Sequence, residues 1–322
     1  MTECAALPDW TLERLCCPCA HHAALDWSEG VRCSVPGCIG AEGFPVAAGQ
    51  PVLIDFPNSI IDRTRFEQAE GKSPVRRTGR GLRYWVRRIA YGENPVAGIY
   101  AERLLKLLGK TPDPVILVVG GGSRGVGSDR LYTAPGVRLV VFDIYASSET
   151  RFVADSHGIP LKDASVDAVW VQAVLEHVLD PWKVADEIHR VLKQDGLVYA
   201  ETPFMQHVHE GAYDFTRFTE NGHRWLFRRF DRIASGAVSG PGSVLIWAIR
   251  AVMTGVTRSG KLGELLTLPF FWLRWTDWLI GKSYASDGAS GVFFLGRRSE
   301  VTIEPRDVVS AYRGVRSQGA NP

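Results

Sequence analysis

Apolar positions change rhythm several times along the chain, and each change marks an element. Val115-Ile116-Leu117-Val118-Val119 is an unbroken run of β-branched residues and leucine, the pattern of a strand covered on both faces. Residues 138–142 repeat it, Val153-Ala154-Asp155 ends a shorter third run, and 165–171 and 197–203 give a fourth and a fifth. Between the last two, Val184, Ile188 and Val191 recur at helical spacing and predict a helix over 182–192. Upstream, Ile99, Leu104, Leu105, Leu107 and Leu108 predict a helix over 96–108 that follows the Asn94-Pro95 break and stops at Gly109. Residues 230–238 and 292–298 read as two closing strands, with roughly 50 residues between them, far more than a hairpin needs. Strand and helix alternate from Pro114 onward, which predicts an α/β fold on a mostly parallel sheet.

The first strand runs into Gly120-Gly121-Gly122-Ser123-Arg124-Gly125. Glycines at such a turn let the backbone come close to a ligand. Asp143 ends the second strand, 21 residues past Gly122. That is where an acid at a strand tip accepts both hydroxyls of an adenosine ribose, so the pattern implies a nucleoside-containing cofactor. Gly120-x-Gly122-x-x-Gly125 also satisfies the dinucleotide pattern, which leaves a nicotinamide-dependent oxidoreductase open.

In an open α/β sheet the ligand crevice lies outside the carboxyl ends of the strands, so the segment after strand five is the place for acceptor chemistry. It reads His207-Val208-His209-Glu210-Gly211-Ala212-Tyr213-Asp214-Phe215-Thr216-Arg217. His207 or His209 suits a general base because imidazole titrates near neutrality. Tyr213, Asp214 and Arg217 suit the orientation of a polyhydroxylated or anionic acceptor; a hydrogen-bonded structural loop is the plainer alternative. A metal at His-x-His-Glu would lack an evident fourth ligand.

Composition narrows the class. Of 322 residues, 45% are hydrophobic and 22% charged, which argues against global disorder. A net charge of +2 excludes a dominant polyanion-binding field, so nucleic acid is a secondary expectation. No apolar run reaches the ~18–20 residues of a membrane span. The first ten residues carry acids and a proline rather than the basic-then-apolar order of a secretory signal, and a cytoplasmic setting is expected.

All six cysteines fall within the first 38 residues. Cys16-x2-Cys19-x13-Cys33-x4-Cys38 places four thiols in two close pairs, each able to span one edge of a zinc tetrahedron from a tight turn. Cys17, His21 and His22 are alternative ligands, and Cys4 reads as a bystander. Residues 71–92 then hold seven basic side chains and no acid, which reads as a solvated connector or as a phosphate-facing strip.

Two resemblances sharpen these readings. Residues 11–55, with Leu12-Glu13-Arg14-Leu15-Cys16-Cys17-Pro18-Cys19, the pair Cys33 and Cys38, Phe44-Pro45-Val46 and Gly49-Gln50-Pro51-Val52-Leu53-Ile54, resemble a zinc-ribbon family that includes a shared activator subunit of eukaryotic methyltransferases. In that family the proline directly follows the first cysteine, whereas here Cys17 intervenes. The resemblance implies a structural zinc and a docking surface.

Residues 113–235, through the glycine turn, Asp143, Val153-Ala154-Asp155, Ile159-Pro160-Leu161, Leu175-Glu176-His177-Val178-Leu179-Asp180-Pro181 and Leu192-Lys193-Gln194-Asp195-Gly196-Leu197, resemble class I S-adenosylmethionine-dependent methyltransferases of the ubiquinone-biosynthesis type. This implies a Rossmann-like sheet whose last strand is antiparallel. By the same resemblance, Gly120, Gly121 and Gly122 face the methionine part of S-adenosyl-L-methionine, Asp143 the ribose, Ile144 the adenine face, and Asp155 and Ser156 its edge. Gln172 stands beside the cofactor. Val118 occupies a place where many relatives carry an acid, and Ala173 replaces the first glutamate of a Glu-x-x-Glu-His metal run, so no metal is expected at Glu176-His177. Segments similar to the His-x-His-Glu-Gly-x-Tyr-Asp-Phe-x-Arg-Phe run occur in bacterial methyltransferases associated with cell-surface saccharide synthesis.

The chain therefore divides into a zinc ribbon (1–58), a basic connector (59–95), a methyltransferase domain (96–300) with a hydrophobic insertion at about 239–290, and a frayed polar tail (301–322). In the insertion Trp272, Trp275 and Trp278 lie three apart along one side of a helix. That side is a cap on the core, a homodimer face, or a contact with the inner face of a membrane. The expected activity is methylation of an oxygen or nitrogen of a small-molecule, saccharide or lipid-linked acceptor. Alternatives are an RNA or protein methyltransferase, a non-catalytic cofactor-binding scaffold and an NAD-dependent oxidoreductase.

Overall fold

The computed structural model describes residues 7–67 and 94–318. Cys4 and the basic stretch 71–92 lie outside the described residues.

Eleven strands are described: β1 (Leu25–Asp26), β2 (Arg32–Cys33), β3 (Val46–Ala47), β4 (Gln50–Leu53), β5 (Val115–Val119), β6 (Arg138–Asp143), β7 (Phe152–Ala154), β8 (Val166–Gln172), β9 (Leu192–Pro203), β10 (Phe230–Ser239) and β11 (Gly291–Arg298). Nine of them form one sheet in the order β10-β11-β9-β8-β5-β6-β7-β4-β3. β5 pairs in parallel with β6 and β8, and β8 with β9, while β11 runs antiparallel between β9 and β10. This is the expected Rossmann-like sheet with its antiparallel edge. All five residues of β5 are buried, as the unbroken apolar run requires of a strand with both faces covered.

Helix α1 (Pro95–Leu108) starts where the Asn94 side chain accepts the Ala97 N–H at 3.1 Å, with Pro95 in the first turn, where its missing donor costs nothing. It buries Ala97, Ala101, Leu104 and Leu108. On the opposite layer α2 (Pro181–Val191) is capped by Asp180 and buries Val184, Ile188 and Val191. Trp170 and Tyr199, both fully buried, stack at 4.0 Å between the central strands.

The amino-terminal ribbon is joined to this sheet. β4 lies parallel to β7, pairing Val52 with Val153 and Leu53 with Ala154. Leu15 bridges Leu161, the Cys16 N–H donates to Pro160 O at 3.1 Å, and Gln50 Nε2 donates to Ser147 O at 2.7 Å. Leu15, Cys17, Phe44 and Leu53 belong to the same apolar cluster as Val115, Leu117 and Phe142.

Between β10 and β11 the insertion folds as α3 (Pro241–Thr257), α4 (Gly260–Thr267), a 3-10 helix (Leu268–Trp278) and a short helix (Lys282–Asp287). No helix among the described residues is long and apolar enough to cross a membrane. The tail departs from the frayed expectation. Tyr312 Oη donates to both Asp287 carboxylate oxygens at 2.9 Å, Val315 N–H donates to the same group, and Asn221 Nδ2 donates to Val308 O, so the segment through 318 is tied to the body.

Candidate active site and thiol cluster

The carboxyl ends of β5, β6 and β8 open into a cavity of about 330 Å³. Its walls include Gly120, Gly121, Asp143, Ile144, Asp155, Ser156 and Gln172, and also His177, His209 and Tyr213. Seven of the residues expected at the cofactor and two of those expected at the acceptor thus share one space, while Gly122, His207 and Asp214 are not in its walls.

The glycines are required by contact. A Cβ on Gly120, which sits at φ +67°, would lie 2.3 Å from Val174 Cγ2; on Gly121, 2.3 Å from Val141 Cγ1; on Gly122, 2.3 Å from Tyr145 Cε2. No side chain fits at any of the three. The Gly122 N–H donates to Asp143 Oδ2 at 2.8 Å and the Ile144 N–H to Oδ1 at 2.7 Å. Each carboxylate oxygen keeps a lone pair for a hydroxyl. Burial pushes the Asp143 carboxyl up to about 6, against the pull of those two N–H groups. Val118, where relatives carry an acid, is buried at the cavity floor.

Asp155 is already bound on both oxygens. Oδ1 accepts the His157 N–H at 3.0 Å and faces His157 Nδ1 at 2.6 Å, while the Ser59 hydroxyl donates to Oδ2. His157 Nε2 accepts the Asp180 N–H, which leaves Nδ1 as its donor. Gln172 is likewise anchored, donating to Val126 O at 3.1 Å. Sequence reasoning missed Ile60 and Ile61, which reach the cavity from the chain after β4, and Ser59, which binds Asp155 without lining the cavity. No pattern in their own stretch signals it, because only the pairing of β4 with β7 carries them there.

At the other end His209 is held by its neighbours. Its N–H donates to Asp214 Oδ2 at 2.8 Å and its Nδ1 lies 3.3 Å from the same oxygen. Arg217 grips both Asp214 oxygens, and this pairing holds that carboxyl far below the usual carboxylate range. His207 does not line the cavity; it is exposed, and its carbonyl accepts Arg217 Nη2 at 3.0 Å. His177 Nδ1 donates to Tyr213 O at 2.7 Å, and its ring meets that of His209 edge-on at 4.7 Å.

Between them lies Glu176, fully buried, with neither carboxyl oxygen hydrogen-bonded. Its Oε1 is 3.7 Å from His177 Nε2 and 3.9 Å from His209 Nε2. Burial pushes this carboxyl up to about 8. The expectation of no metal here rested on Ala173; the folded chain brings His209 beside Glu176 and His177 instead, with one ligand atom from each within 4.8 Å of the others.

The thiol cluster corrects one assignment. Sγ atoms of Cys17, Cys19, Cys33 and Cys38 lie within 4.8 Å of one another, and Cys16 is outside the group. Cys17 Sγ and Cys38 Sγ are 3.6 Å apart, close to the ~3.8 Å edge of a tetrahedron with ~2.3 Å zinc–sulfur bonds. Cys16 is withheld because Leu15 and Cys16 are fixed against Leu161 and Pro160. There it is fully buried, with its thiol pushed up to about 12, and acts as a small apolar side chain. The donor set and its spacing suit zinc.

With this geometry in place, the comparisons can be stated. Residues 136–200 match the methyltransferase domain family. No curated protein matches the chain. Among solved structures, a complex between the Haloferax volcanii Trm112 methyltransferase activator and a methyltransferase is similar at 19% identity, covering 69% of this chain and 98% of that one, with a TM-score of 0.42. Phosphoethanolamine N-methyltransferase 2 of Haemonchus contortus, bound to S-adenosyl-L-methionine, is similar at 15% identity over 67% of this chain and 56% of that one, with a TM-score of 0.43. The 1,6-didemethyltoxoflavin-N1-methyltransferase of Burkholderia thailandensis is similar at 15% identity over 71% and 95%, with a TM-score of 0.41.

Two outcomes are expected. Cys17→Ser lowers bound zinc, measured by metal analysis of the purified protein, to well below one ion per chain, whereas Cys16→Ser keeps a full equivalent. For Glu176, the native state holds a proton that the unfolded chain releases above about pH 4.5, so its contribution to stability falls as pH rises from there toward 8. Urea unfolding of Glu176→Gln therefore shows a stability advantage over the parent that grows by roughly 2–4 kcal/mol between pH 5 and pH 8.

Proposed function

We propose that this chain is an S-adenosylmethionine-dependent methyltransferase that methylates an oxygen or nitrogen of a saccharide or glycolipid acceptor, with a structural zinc in its ribbon at Cys17, Cys19, Cys33 and Cys38. One observation carries the reading: a single cavity is lined at one end by the glycine turn and Asp143 and at the other by His209 and Tyr213.

When bound, S-adenosylmethionine supplies a methyl group made electrophilic by its sulfonium. Asp143 holds the ribose hydroxyls, Ile144 flanks the base, and Ser156 with the Asp155 side chain borders the adenine edge. His209 is oriented by the His207 carbonyl, which accepts from Nδ1, and by Asp214, which Arg217 holds ionised and which accepts the His209 backbone N–H. That leaves Nε2 to take the proton from an acceptor hydroxyl or amine as it attacks. A backbone carbonyl can only accept, so its bond to Nδ1 fixes the tautomer that leaves Nε2 with its lone pair. Tyr213 and Glu210, at the cavity rim, offer donor and acceptor groups suited to a polyhydroxylated ring.

Methyl-labelled cofactor incubated with fractionated lysate tests the acceptor class: label enters the glycan or glycolipid fraction, and label in RNA or protein instead overturns it. His209→Ala lowers the methylation rate by about 10²–10⁴ while calorimetric affinity for S-adenosylhomocysteine stays within a factor of about two. Asp143→Ala does the reverse at the first step, abolishing measurable S-adenosylhomocysteine binding.

A further inference from the structure

The insertion between β10 and β11 is packed with its amphipathicity reversed. In α4 the buried positions are Gly263 and Thr267, and the exposed ones include Leu262, Leu265 and Leu266. A Cβ on Gly263 would lie 2.1 Å from Thr254 Oγ1, so α3 and α4 approach through their smallest residues. The exposed apolar positions of α3, Leu245, Val252 and Val256, fall at i, i+7 and i+11, one stripe of a helix.

The 3-10 helix continues the pattern. With three residues per turn, positions three apart eclipse one another. Its exposed row is Pro269, Trp272, Trp275 and Trp278, so every turn presents an indole outward. Trp278 is 83% exposed and Leu279 87%. The polar groups face inward: the Asp277 carboxylate accepts the N–H groups of Gly240, Gly242 and Ser243, and Thr276 Oγ1 donates to Leu273 O.

We propose that this face docks on an anionic lipid surface. Three features select lipid as the occupant. Tryptophan combines a large apolar ring with one polar N–H and favours the membrane–water boundary. The indole N–H groups of Trp272, Trp275 and Trp278 make no protein hydrogen bond among the described residues, which leaves them for headgroup oxygens. Residues 241–287 carry Arg250, Arg258, Lys261, Arg274 and Lys282 against Glu264, Asp277 and Asp287. The five cations outnumber the three acids, so the segment carries a net positive charge, with Arg258, Lys261 and Lys282 among its bearers.

Topology adds a direction. Ser239 and Pro203 both register with Gly291, and the N–H groups of Phe204 and Met205 donate to Ser290 O and Ala289 O. The insertion and the acceptor segment therefore leave the sheet at the same end as the cavity mouth.

The test is co-sedimentation of the full chain, without cofactor, on phosphatidylcholine vesicles with and without phosphatidylglycerol. The wild type binds the anionic vesicles, and binding weakens with added salt. The double variant Trp278→Ser, Leu279→Ser loses about tenfold or more in partitioning, and Arg258→Glu with Lys261→Glu loses several-fold on the anionic vesicles alone. Unchanged S-adenosylhomocysteine affinity shows that the variants are folded; if the parent itself does not bind that ligand, near-ultraviolet circular dichroism reports the fold, so failure of the methyltransferase reading stays separate. A wild type that ignores both vesicle types overturns the proposal. So does a wild-type dimer, by light scattering, that the double variant converts to monomer, since the face then belongs to a second copy.

Discussion

The contact between the Gly122 N–H and the Asp143 carboxylate sets the rest of the site. It ties the turn after β5 to the tip of β6, and it can form because no Cβ stands on the three glycines that pass Val174, Val141 and Tyr145. The same contact carries a cost. A carboxylate in so dry a place is destabilised, which is why its proton is held to about 6 despite two N–H donors. Ligand hydroxyls donating to the remaining lone pairs offset that cost. A carboxylate so placed gains from every further hydrogen-bond donor that meets its free lone pairs.

The ribbon enters this economy through the sheet. Because β4 extends the parallel ladder beyond β7, the chain that follows it reaches the cavity, and Ile60 and Ile61 become part of its wall. Ser59 satisfies the outer oxygen of Asp155 while His157 occupies the inner one. The thiol cluster gathers the short loops that precede β4, so the wall beside Asp155 is joined to a group of cysteines that touches no part of the cavity. A ribbon that merely sat beside the domain would leave that wall open.

Much of the frame was readable from the chain. Strands buried on both faces announce themselves as unbroken apolar runs, and β5, β6 and β8 stand where those runs predict. Asp143 was legible for the same reason, being the polar residue that ends such a run at a fixed distance from a glycine turn. What escaped shares a different character. Cys16 and Cys17 are adjacent and chemically equal, and the choice between them is made by the bridge from Leu15 to Leu161, a contact across 146 positions. Glu176 and His209 lie far apart in sequence, and the loop that joins their side chains has no periodicity to read. The tail looked frayed because its composition is polar, yet polar residues hold it, through Asp287. Three tryptophans spaced by three were read as one side of a helix; that the helix is 3-10, the turn that eclipses them, composition does not forecast.

The acceptor end shows how one small volume keeps two carboxyls in opposite states. Asp214 meets Arg217 through both oxygens, which holds its carboxyl far below the usual carboxylate range. Glu176, a few ångströms away, has no donor and keeps its proton to about 8. Pairs pushed apart in this way divide their labour, one fixing charge and the other holding a proton. His209 sits between them, with Nδ1 toward the fixed charge and Nε2 toward the protonated group. An imidazole so placed accepts a proton from the cavity side without a second negative charge beside it. Were Glu176 ionised as well, two negative carboxylates would flank one imidazole, so the burial that makes Glu176 costly is also what leaves Asp214 as the single fixed charge beside His209.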